Sequence, residues 1–210
     1  MRLDQEVALA CLDDQLDLCR GIPPGEGRMH DCLQRNFKHL DAKCFEAEFS
    51  AAVRAALAGG LSMHPKVGAV CKTELQANCL QFRDDGKLAC LLGQPEMSLS
   101  TSCKDELRSY KTIAAQYNQL DTRLHVQCRS EISDMCASSA KVTDVEAAGK
   151  EGPVKAAQAG QDLMACLMEN RATMKHHSPC KDYLFGQLVE SGRDMALDVP
   201  LHRACEKDLA

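Results

Sequence analysis

The spacing of the cysteines constrains the fold of this chain more than any other feature of its sequence. Thirteen cysteines among 210 residues stand in three groups of four with one left over. Within the groups, seven residues always separate the first and second cysteines; the later gaps are twelve, ten and twenty-nine residues, then eleven, twelve and thirteen. The groups are Cys11, Cys19, Cys32 and Cys44; Cys71, Cys79, Cys90 and Cys103; and Cys128, Cys136, Cys166 and Cys180, followed by Cys205 alone. This recurrence indicates an internal repeat with a period near 60 residues.

Two further positions recur with the cysteines. An acidic residue stands three positions after the first cysteine of each group and after the last cysteine, and a leucine directly follows each third cysteine. The acids are Asp14, Glu74, Glu131 and Asp208, and the leucines are Leu33, Leu91 and Leu167. Cysteines that were merely scattered small hydrophobic residues would not keep such companions.

The recurrence divides the chain into successive units. We predict cysteine-rich repeats over 1–60, 61–120 and 121–197, and the truncated start of a fourth over 198–210. The third repeat is longer because it carries an insertion at 137–156. In a tandem array each repeat contacts chiefly its neighbours, so we expect binding to use a surface shared between adjacent repeats.

Helix-forming residues dominate each repeat, and no segment alternates in the manner of a strand. The sequence therefore predicts an all-α fold of tandem, disulfide-stapled three-helix repeats. The first helix carries the opening cysteine pair, the second carries the cysteine-leucine element, and the third begins at the fourth cysteine. The first helices are predicted over 3–19, 64–82 and 121–138, and the second over 29–40, 86–93 and 155–175.

Start and stop signals support the third helix of each repeat. Ser178 followed by Pro179 provides an N-cap and a favourable first helical residue. Ser102 and Asp41 are predicted to cap the equivalent helices. Gly59 and Gly60 are expected to end the first of them after the segment AAVRAALA.

Helix geometry limits how the cysteines can pair. Residues eight apart on a helix are about 12 Å apart along its axis, whereas the Cα atoms of a disulfide lie about 4.4–6.8 Å apart. Cys11 therefore cannot bond Cys19 in an unbroken helix. An antiparallel hairpin favours first with fourth and second with third, although four cysteines allow three connectivities and the sequence does not choose between them. We expect Cys205 to be unpaired.

Composition excludes several classes of partner. The net charge of −5, with 26% charged residues, provides no basic surface for nucleic acid and no polybasic membrane patch. A mildly acidic surface fits a basic protein partner. No apolar run approaches the roughly 18 residues that span a bilayer, and the amino end, MRLDQEVALACLDDQ, does not have the pattern of a secretory signal. We therefore expect no membrane contact within this segment.

The four-cysteine unit resembles the cysteine-rich repeat of the Golgi apparatus protein family. The unit reads C-x7-C, ten to twelve residues in the first two copies, C-L, about a dozen residues and C, with about 25 residues between units. The resemblance covers essentially the whole chain. It implies the lumenal part of a Golgi membrane glycoprotein, in which a row of these repeats precedes one transmembrane helix.

The resemblance also implies a function. The family includes the cysteine-rich fibroblast growth factor receptor and the E-selectin ligand, whose activities are binding ones, with no catalysis attributed to the repeat. We therefore expect a non-enzymatic scaffold or protein-binding surface on the lumenal side of the Golgi membrane. The identity of the protein ligand is not readable from these residues.

Metal and catalytic sites find less support in the sequence. There is no C-x-x-C segment, and the C-x7-C spacing suits no common zinc site. His176 and His177 beside Cys180 form the best candidate ligand cluster, which is expected to be a solvated loop. No Ser-His-Asp pattern, glycine-rich phosphate loop or H-E-x-x-H segment is visible, so we expect no catalytic residue, metal or cofactor.

Two alternatives use similar cysteine-linked helical hairpins. One is a disulfide-stapled helical module that binds lipid, and the other is a helical protein of the mitochondrial intermembrane space. The latter type usually has nine residues between its paired cysteines, against seven here. The aromatic side chains of Phe49, Tyr183 and Phe185 are expected to pack in a core and not to line a pocket.

Overall fold

A computed structural model describes residues 5–23, 25–58, 60–139 and 152–205. Within them the chain forms thirteen α-helices and no strand, which confirms the all-α prediction. The α-helices are α1 Gln5–Ala10, α2 Leu12–Leu18, α3 Arg28–Arg35, α4 Ala42–Ala58, α5 Pro65–Val70, α6 Lys72–Asn78, α7 Asp84–Leu92, α8 Thr101–Gln116, α9 Thr122–Gln127, α10 Arg129–Met135, α11 Gly152–Asn170, α12 Pro179–Ser191 and α13 Val199–Ala204. Short 3-10 helices cover Phe37–His39, Leu61–Met63, Glu96–Ser98, Asn118–Leu120 and Met195–Leu197.

The opening helix of each repeat is broken at its first cysteine, where the sequence predicted one continuous helix. Cys11, Cys71 and Cys128 each stand between two short helices. At Cys11 the φ and ψ angles are −107° and 16°, although its N–H still donates to the Val7 carbonyl at 3.0 Å. The break coincides with the bond to the fourth cysteine, which brings the Cα atoms to within 4.5–4.9 Å. The prediction of an unbroken helix was wrong because it took no account of this tether.

All twelve cysteines of the three repeats form disulfides in one nested pattern. The first cysteine bonds the fourth and the second bonds the third, as favoured for a helical hairpin. The outer pairs are Cys11–Cys44, Cys71–Cys103 and Cys128–Cys180, and the inner pairs are Cys19–Cys32, Cys79–Cys90 and Cys136–Cys166. Cys205 is a free, partly buried thiol.

The recurring acid and leucine both have structural roles. Oδ2 of Asp14 accepts a hydrogen bond from the Asp41 N–H at 3.0 Å, and Oε1 of Glu74 accepts one from the Ser100 N–H at 2.8 Å. In these two repeats the acid therefore fixes the chain just before the third helix. The leucines after the third cysteines are fully buried in the cores of their repeats: Leu33, Leu91 and Leu167. Asp208 lies outside the described residues.

The third helices begin close to the predicted caps. Oδ1 of Asp41 accepts from the N–H of Cys44 at 3.0 Å, and Oγ of Ser178 accepts from the N–H of Lys181 at 3.1 Å. In the second repeat the cap is Ser100 and not Ser102, because the chain is extended up to Ser100 and Ser102 already lies in the first turn of α8.

Helix α4, the third helix of the first repeat, ends at Ala58. Gly60 follows it with φ at 99°. Gly59 lies outside the described residues.

Besides one core within each repeat, a fourth core joins all three repeats. Its aromatic side chains have ring centroids 5.2–5.8 Å apart, within the range of favourable edge and stacked contacts. The aromatic members are Phe37, Phe45 and Phe49 of the first repeat and Tyr117 of the second. Ala156 and Ala157 of α11 complete this shared core from the third repeat.

Helix α11 of the third repeat packs closely against both earlier repeats. A Cβ atom at Gly152 would lie 2.9 Å from the Phe45 ring, so the small residue permits close approach. Nδ2 of Asn118 donates to the Gly160 carbonyl at 3.1 Å, and Nε2 of Gln119 donates to the Ala156 carbonyl at 2.8 Å. The first repeat therefore contacts the third repeat, through α9 and α11, as well as the second.

Part of the predicted insertion takes part in this contact. The last residues of the predicted insertion, 152–156, are the first turn of α11, whereas 140–151 lie outside the described residues.

Of the three aromatic residues predicted to pack in a core, two are buried and one is exposed. Phe49 and Tyr183 are buried, but Phe185 is 69% exposed, so its placement in a core was wrong. The buried residues of α12 are Cys180, Tyr183 and Leu184, which share one face of the helix, and Phe185 lies outside that face.

Candidate binding groove between the first and second repeats

A cavity of about 590 Å³ lies where the first repeat meets the second. Helices α3 and α4 of the first repeat form one side, and α5 and α8 of the second form the other. Binding sites for small ligands are typically about 300–1,000 Å³. The cavity is thus large enough to hold a ligand or a side chain of a partner.

Alanines form the apolar wall of this groove. On α4 an adjacent pair of alanines is followed by two more at intervals of three, so all four lie along one side of the helix. They are Ala51, Ala52, Ala55 and Ala58. Tyr110, Ile113 and Ala114 of α8 lie on the opposite side. Because alanine side chains are short, α4 leaves space that larger residues would fill.

A fully buried carboxylate, Glu48, lies at one end of the alanine wall. His30 Nδ1 lies 2.8 Å from its Oε2, and Nε2 of Gln34 donates to its Oε1 at 2.8 Å. Burying a carboxylate is costly unless it is paired and hydrogen-bonded. These contacts therefore fix α3 against α4 and hold the polar end of the groove in place.

An ionic cluster crosses the boundary between the two repeats. Nζ of Lys66 lies 2.6 Å from Oδ2 of Asp31 and 2.9 Å from Oε2 of Glu106. Nη2 of Arg35 donates to the same Glu106 oxygen at 3.3 Å. Since Asp31 and Arg35 belong to the first repeat and Lys66 and Glu106 to the second, the cluster sets how the repeats meet at the groove.

His64 and Tyr110 connect the groove to the third repeat. Their rings meet edge to face with centroids 5.1 Å apart, and His64 Nε2 lies 3.0 Å from Oγ1 of Thr122. Burial lowers the pKa of His64 from 6.5 to about 4, against the opposing effect of Asp121. Burial also raises the pKa of Tyr110, with a further contribution from Asp121. Both side chains are therefore uncharged at neutral pH.

The site residues predicted from the sequence lie elsewhere. None of the twelve disulfide cysteines lines the cavity. The exposed rings of His176 and His177 lie beside each other, but Cys180 is bonded to Cys128 and offers no thiolate. In the described ranges, no three or more His, Cys, Asp or Glu side chains come together in a way that could hold a metal ion. Nor does any helix there have the length and apolar character needed to cross a membrane.

Sequence reasoning missed the groove residues, although one signal was available. Glu48 stands three residues after Phe45 and four before Ala52, on the face of α4 that carries its buried residues. An acid on such a face indicates a buried, partnered carboxylate. Lys66 and Glu106 gave no comparable signal, because their contact depends on how two repeats dock.

Comparison with known proteins bears directly on the repeat. The family model described as "Cysteine rich repeat" (Cys_rich_FGFR) matches residues 1–41 and 101–175, more than half of the chain. The chain belongs to this cysteine-rich repeat family. No solved structure matches it.

Relatives in three animals extend the likeness to most of the chain. Golgi apparatus protein 1 of Homo sapiens is 23% identical over 275 aligned residues, which cover 100% of this chain and 22% of the relative. The Mus musculus protein of that name is 30% identical over 157 residues, covering 70% and 12%. The Golgi apparatus protein 1 homolog of Caenorhabditis elegans is 26% identical over 229 residues, covering 97% and 18%. The chain thus spans less than a quarter of the length of each of these relatives.

Proposed function

We propose that the chain is a non-enzymatic binding segment that holds a protein ligand in the groove between its first and second repeats. The observation that carries this proposal is the 590 Å³ cavity, which both repeats line and whose apolar wall is formed by the alanines of α4. A groove with short side chains on one wall suits a large apolar side chain of a partner, which is the type of anchor that dominates protein interfaces.

The bonding of the titratable groups in the groove supports a binding role over a catalytic one. Glu48 is held by His30 and Gln34, and Lys66 is held by Asp31 and Glu106. Groups engaged in this way shape and rigidify a surface. A general acid or base would instead need to reach a reacting atom within hydrogen-bond distance.

The proposed location is the lumenal side of the Golgi membrane. Six disulfides in one chain suit an oxidising compartment, and the relatives named above are Golgi apparatus proteins. We propose that this segment contributes to the lumenal part of a membrane-anchored protein without itself contacting the membrane.

The alanine wall also favours a second candidate, a small apolar ligand such as a lipid. An apolar pocket with a few polar groups at one end is typical of small-molecule sites. The two candidates can be distinguished by a crosslinking probe in the groove, which would react with a protein ligand under the first and not under the second.

Photo-crosslinking tests both candidates. The oxidised chain, carrying a photoreactive phenylalanine analogue at Ala58, an exposed residue that lines the groove, is irradiated with Golgi lumenal extract. The matched control carries the analogue at Ala89, an exposed alanine of α7. We expect a protein adduct from position 58 only, and competition by unlabelled wild type but not by Ala55→Trp, which fills the groove.

Two outcomes would contradict the protein-ligand proposal. Equal adducts from both positions would mean that the groove has no special affinity for protein. Saturable binding of the neutral dye Nile red that is lost in Ala55→Trp but kept in Ala89→Trp, without any protein adduct, would favour the lipid candidate.

A further inference from the structure

Three leucines of the first repeat form an apolar surface that the groove does not use. Leu9, Leu12 and Leu16 are 74%, 57% and 56% exposed. They stand three and four positions apart on α1 and α2. The Cys11 N–H donates to the Val7 carbonyl at 3.0 Å and the Gln15 N–H to the Cys11 carbonyl at 2.9 Å, so helical bonding runs through the break and the three leucines share one side. Contiguous exposed apolar surface of this kind marks interaction sites. We call these three residues the leucine face.

An acidic edge runs beside the leucine face. Asp13 and Asp17 each follow a leucine directly and are exposed. At about 100° per residue they lie on the flank next to the leucines. A partner that covers the leucines would therefore bring its own edge close to two negative charges.

The other repeats show that a neighbouring repeat does not occupy this position. The residues equivalent to the leucine face are Ala69, Lys72 and Gln76 in the second repeat, and Val126, Arg129 and Ser133 in the third. All six are exposed, so the packing of one repeat on another leaves this side uncovered. The leucines are thus peculiar to the first repeat.

The acidic edge also differs between repeats. The positions of Asp13 and Asp17 hold Thr73 and Ala77 in the second repeat, and Ser130 and Asp134 in the third, so the third repeat keeps one of the two acids. The first repeat alone therefore combines three exposed leucines with two exposed aspartates on one side.

We propose that the leucine face is a docking surface for an amphipathic α-helix of a partner protein with lysines or arginines along one edge. Amphipathic helices bind apolar surfaces through residues three and four apart, the spacing of the leucines themselves. The aspartates select a basic edge and speed association through charge complementarity. A second copy of this chain would set acid against acid, and an anionic membrane would repel the same edge.

Binding of a designed peptide tests the proposal. The probe is a fluorescent, amphipathic helical peptide of leucine and lysine, and its control is a peptide of the same composition with the leucines scattered. We expect the oxidised chain to bind the amphipathic peptide at least about tenfold more tightly, as measured by fluorescence anisotropy at physiological salt. The double variant Leu12→Ser, Leu16→Ser should lose at least about tenfold in affinity.

Matched variants separate the apolar from the charged contribution. Asp13→Lys with Asp17→Lys should weaken binding and flatten its dependence on salt concentration. Lys72→Ser with Gln76→Ser, the equivalent pair in the second repeat, should leave binding unchanged. All these positions are exposed, and circular dichroism confirms that each variant keeps its helices.

Four results would overturn the proposal. The first is equal binding of the scattered peptide, and the second is undiminished binding by the leucine variant. The third is leucine-dependent binding to vesicles of phosphatidylcholine and phosphatidylserine, which would make the face a membrane surface. The fourth is leucine-dependent dimerisation in analytical ultracentrifugation, which would make it an interface between two copies. The leucine face does not line the groove, so the result is independent of the function proposed above.

Discussion

His64 stands at the point where three parts of the molecule meet. It precedes α5 of the second repeat, its ring meets Tyr110 of α8, and its Nε2 lies 3.0 Å from Thr122 at the start of the third repeat. A protonated ring would lose much of its hydration in this position. The fold therefore favours the neutral imidazole and is coupled to pH through this residue.

We predict that the free energy of unfolding falls as the pH drops from 6.5 to about 4. The folded state holds the pKa of His64 at about 4, below the ordinary 6.5. Below pH 6.5 His64 therefore binds a proton in the unfolded chain but stays neutral in the folded chain. The free energy of unfolding falls until the pH reaches the pKa of His64 in the folded state. The loss is on the order of 2–3 kcal/mol.

Urea denaturation at several pH values measures this loss. His64→Gln should reduce the pH dependence, whereas His39→Gln, at an exposed position, should not. A smaller dependence should persist in His64→Gln, because burial also lowers the pKa of His125. An identical pH profile for wild type and His64→Gln would show that His64 is not the responsible group.

Helix α11 of the third repeat packs against both earlier repeats. Its glycines and alanines allow it to approach Phe45 and the segment Asn118–Leu120 closely. A Cβ atom at Gly160 would lie 2.8 Å from the backbone nitrogen of Asn118 and 2.7 Å from Oε1 of Gln119. Backbone cannot give way as a flexible side chain can, so this site tolerates no larger residue without a shift of the helix.

We predict that Gly160→Ala lowers the free energy of unfolding by about 1–3 kcal/mol, the usual cost of overpacking. Gly186→Ala on α12 is the matched control, because a Cβ atom there meets nothing within 4 Å. It should raise stability by about 0.5–1 kcal/mol, since alanine is the better residue inside a helix. Chemical denaturation measures both. Destabilisation of equal size at the two positions would refute the close approach of α11.

The features that could be predicted from the sequence lie within single repeats. The spacing of Cys11, Cys19, Cys32 and Cys44 indicated a helical hairpin, because its geometry follows from helix rise and disulfide length. The break at Cys11 escaped prediction because helix propensity carries no information about a tether to Cys44. The cap was placed at Ser102 and not Ser100 for a similar reason, since two nearby serines offer the same local signal.

Some contacts within a repeat, and all features formed between repeats, could not be predicted. Within a repeat, the repetition of Asp14 and Glu74 was visible, but their roles as acceptors for the backbone before α4 and α8 required the structure. The groove depends on how α4 faces α8, which no local pattern determines. The shared core depends on how α11 packs against Phe45, and no local pattern in the sequence determines that packing.

In the whole molecule, the disulfides compensate for small cores. A unit of about 60 residues buries only about 60% of its unfolded surface and is marginal alone. In the chain-entropy model a disulfide that closes a loop of about 15 residues contributes about 3 kcal/mol, and one that closes a longer loop contributes more. The six bonds join cysteines 11–52 positions apart, so the two bonds of each repeat are large relative to the stability of so small a unit.

We predict that reduction unfolds the chain. Far-ultraviolet circular dichroism with and without reductant should show loss of helicity and of the cooperative melt. Before reduction, a thiol count in denaturant should find one reactive group, because Cys205 is the free cysteine. Unchanged helicity and melting in reductant would mean that hydrophobic packing alone suffices.

The last prediction concerns cooperativity among the repeats. Phe49 and Phe185 each stand five residues after the fourth cysteine of their repeats, yet Phe49 is 1% exposed in the shared core and Phe185 is 69% exposed. Phe49→Ala should lower the free energy of unfolding by about 3–5 kcal/mol. Phe185→Ala should change it by less than about 0.5 kcal/mol.

Hydrogen exchange determines whether the loss spreads beyond the first repeat. Since Phe49 packs in the same core as Tyr117 and Ala156, we expect Phe49→Ala to reduce amide protection in α11 as well as in α4, while Phe185→Ala leaves both unchanged. Reduced protection confined to α4 and its own repeat would show that the repeats unfold independently. Loss in α11 would instead mean that one aromatic core couples all three repeats, so that a partner bound at the groove also stabilises the third repeat.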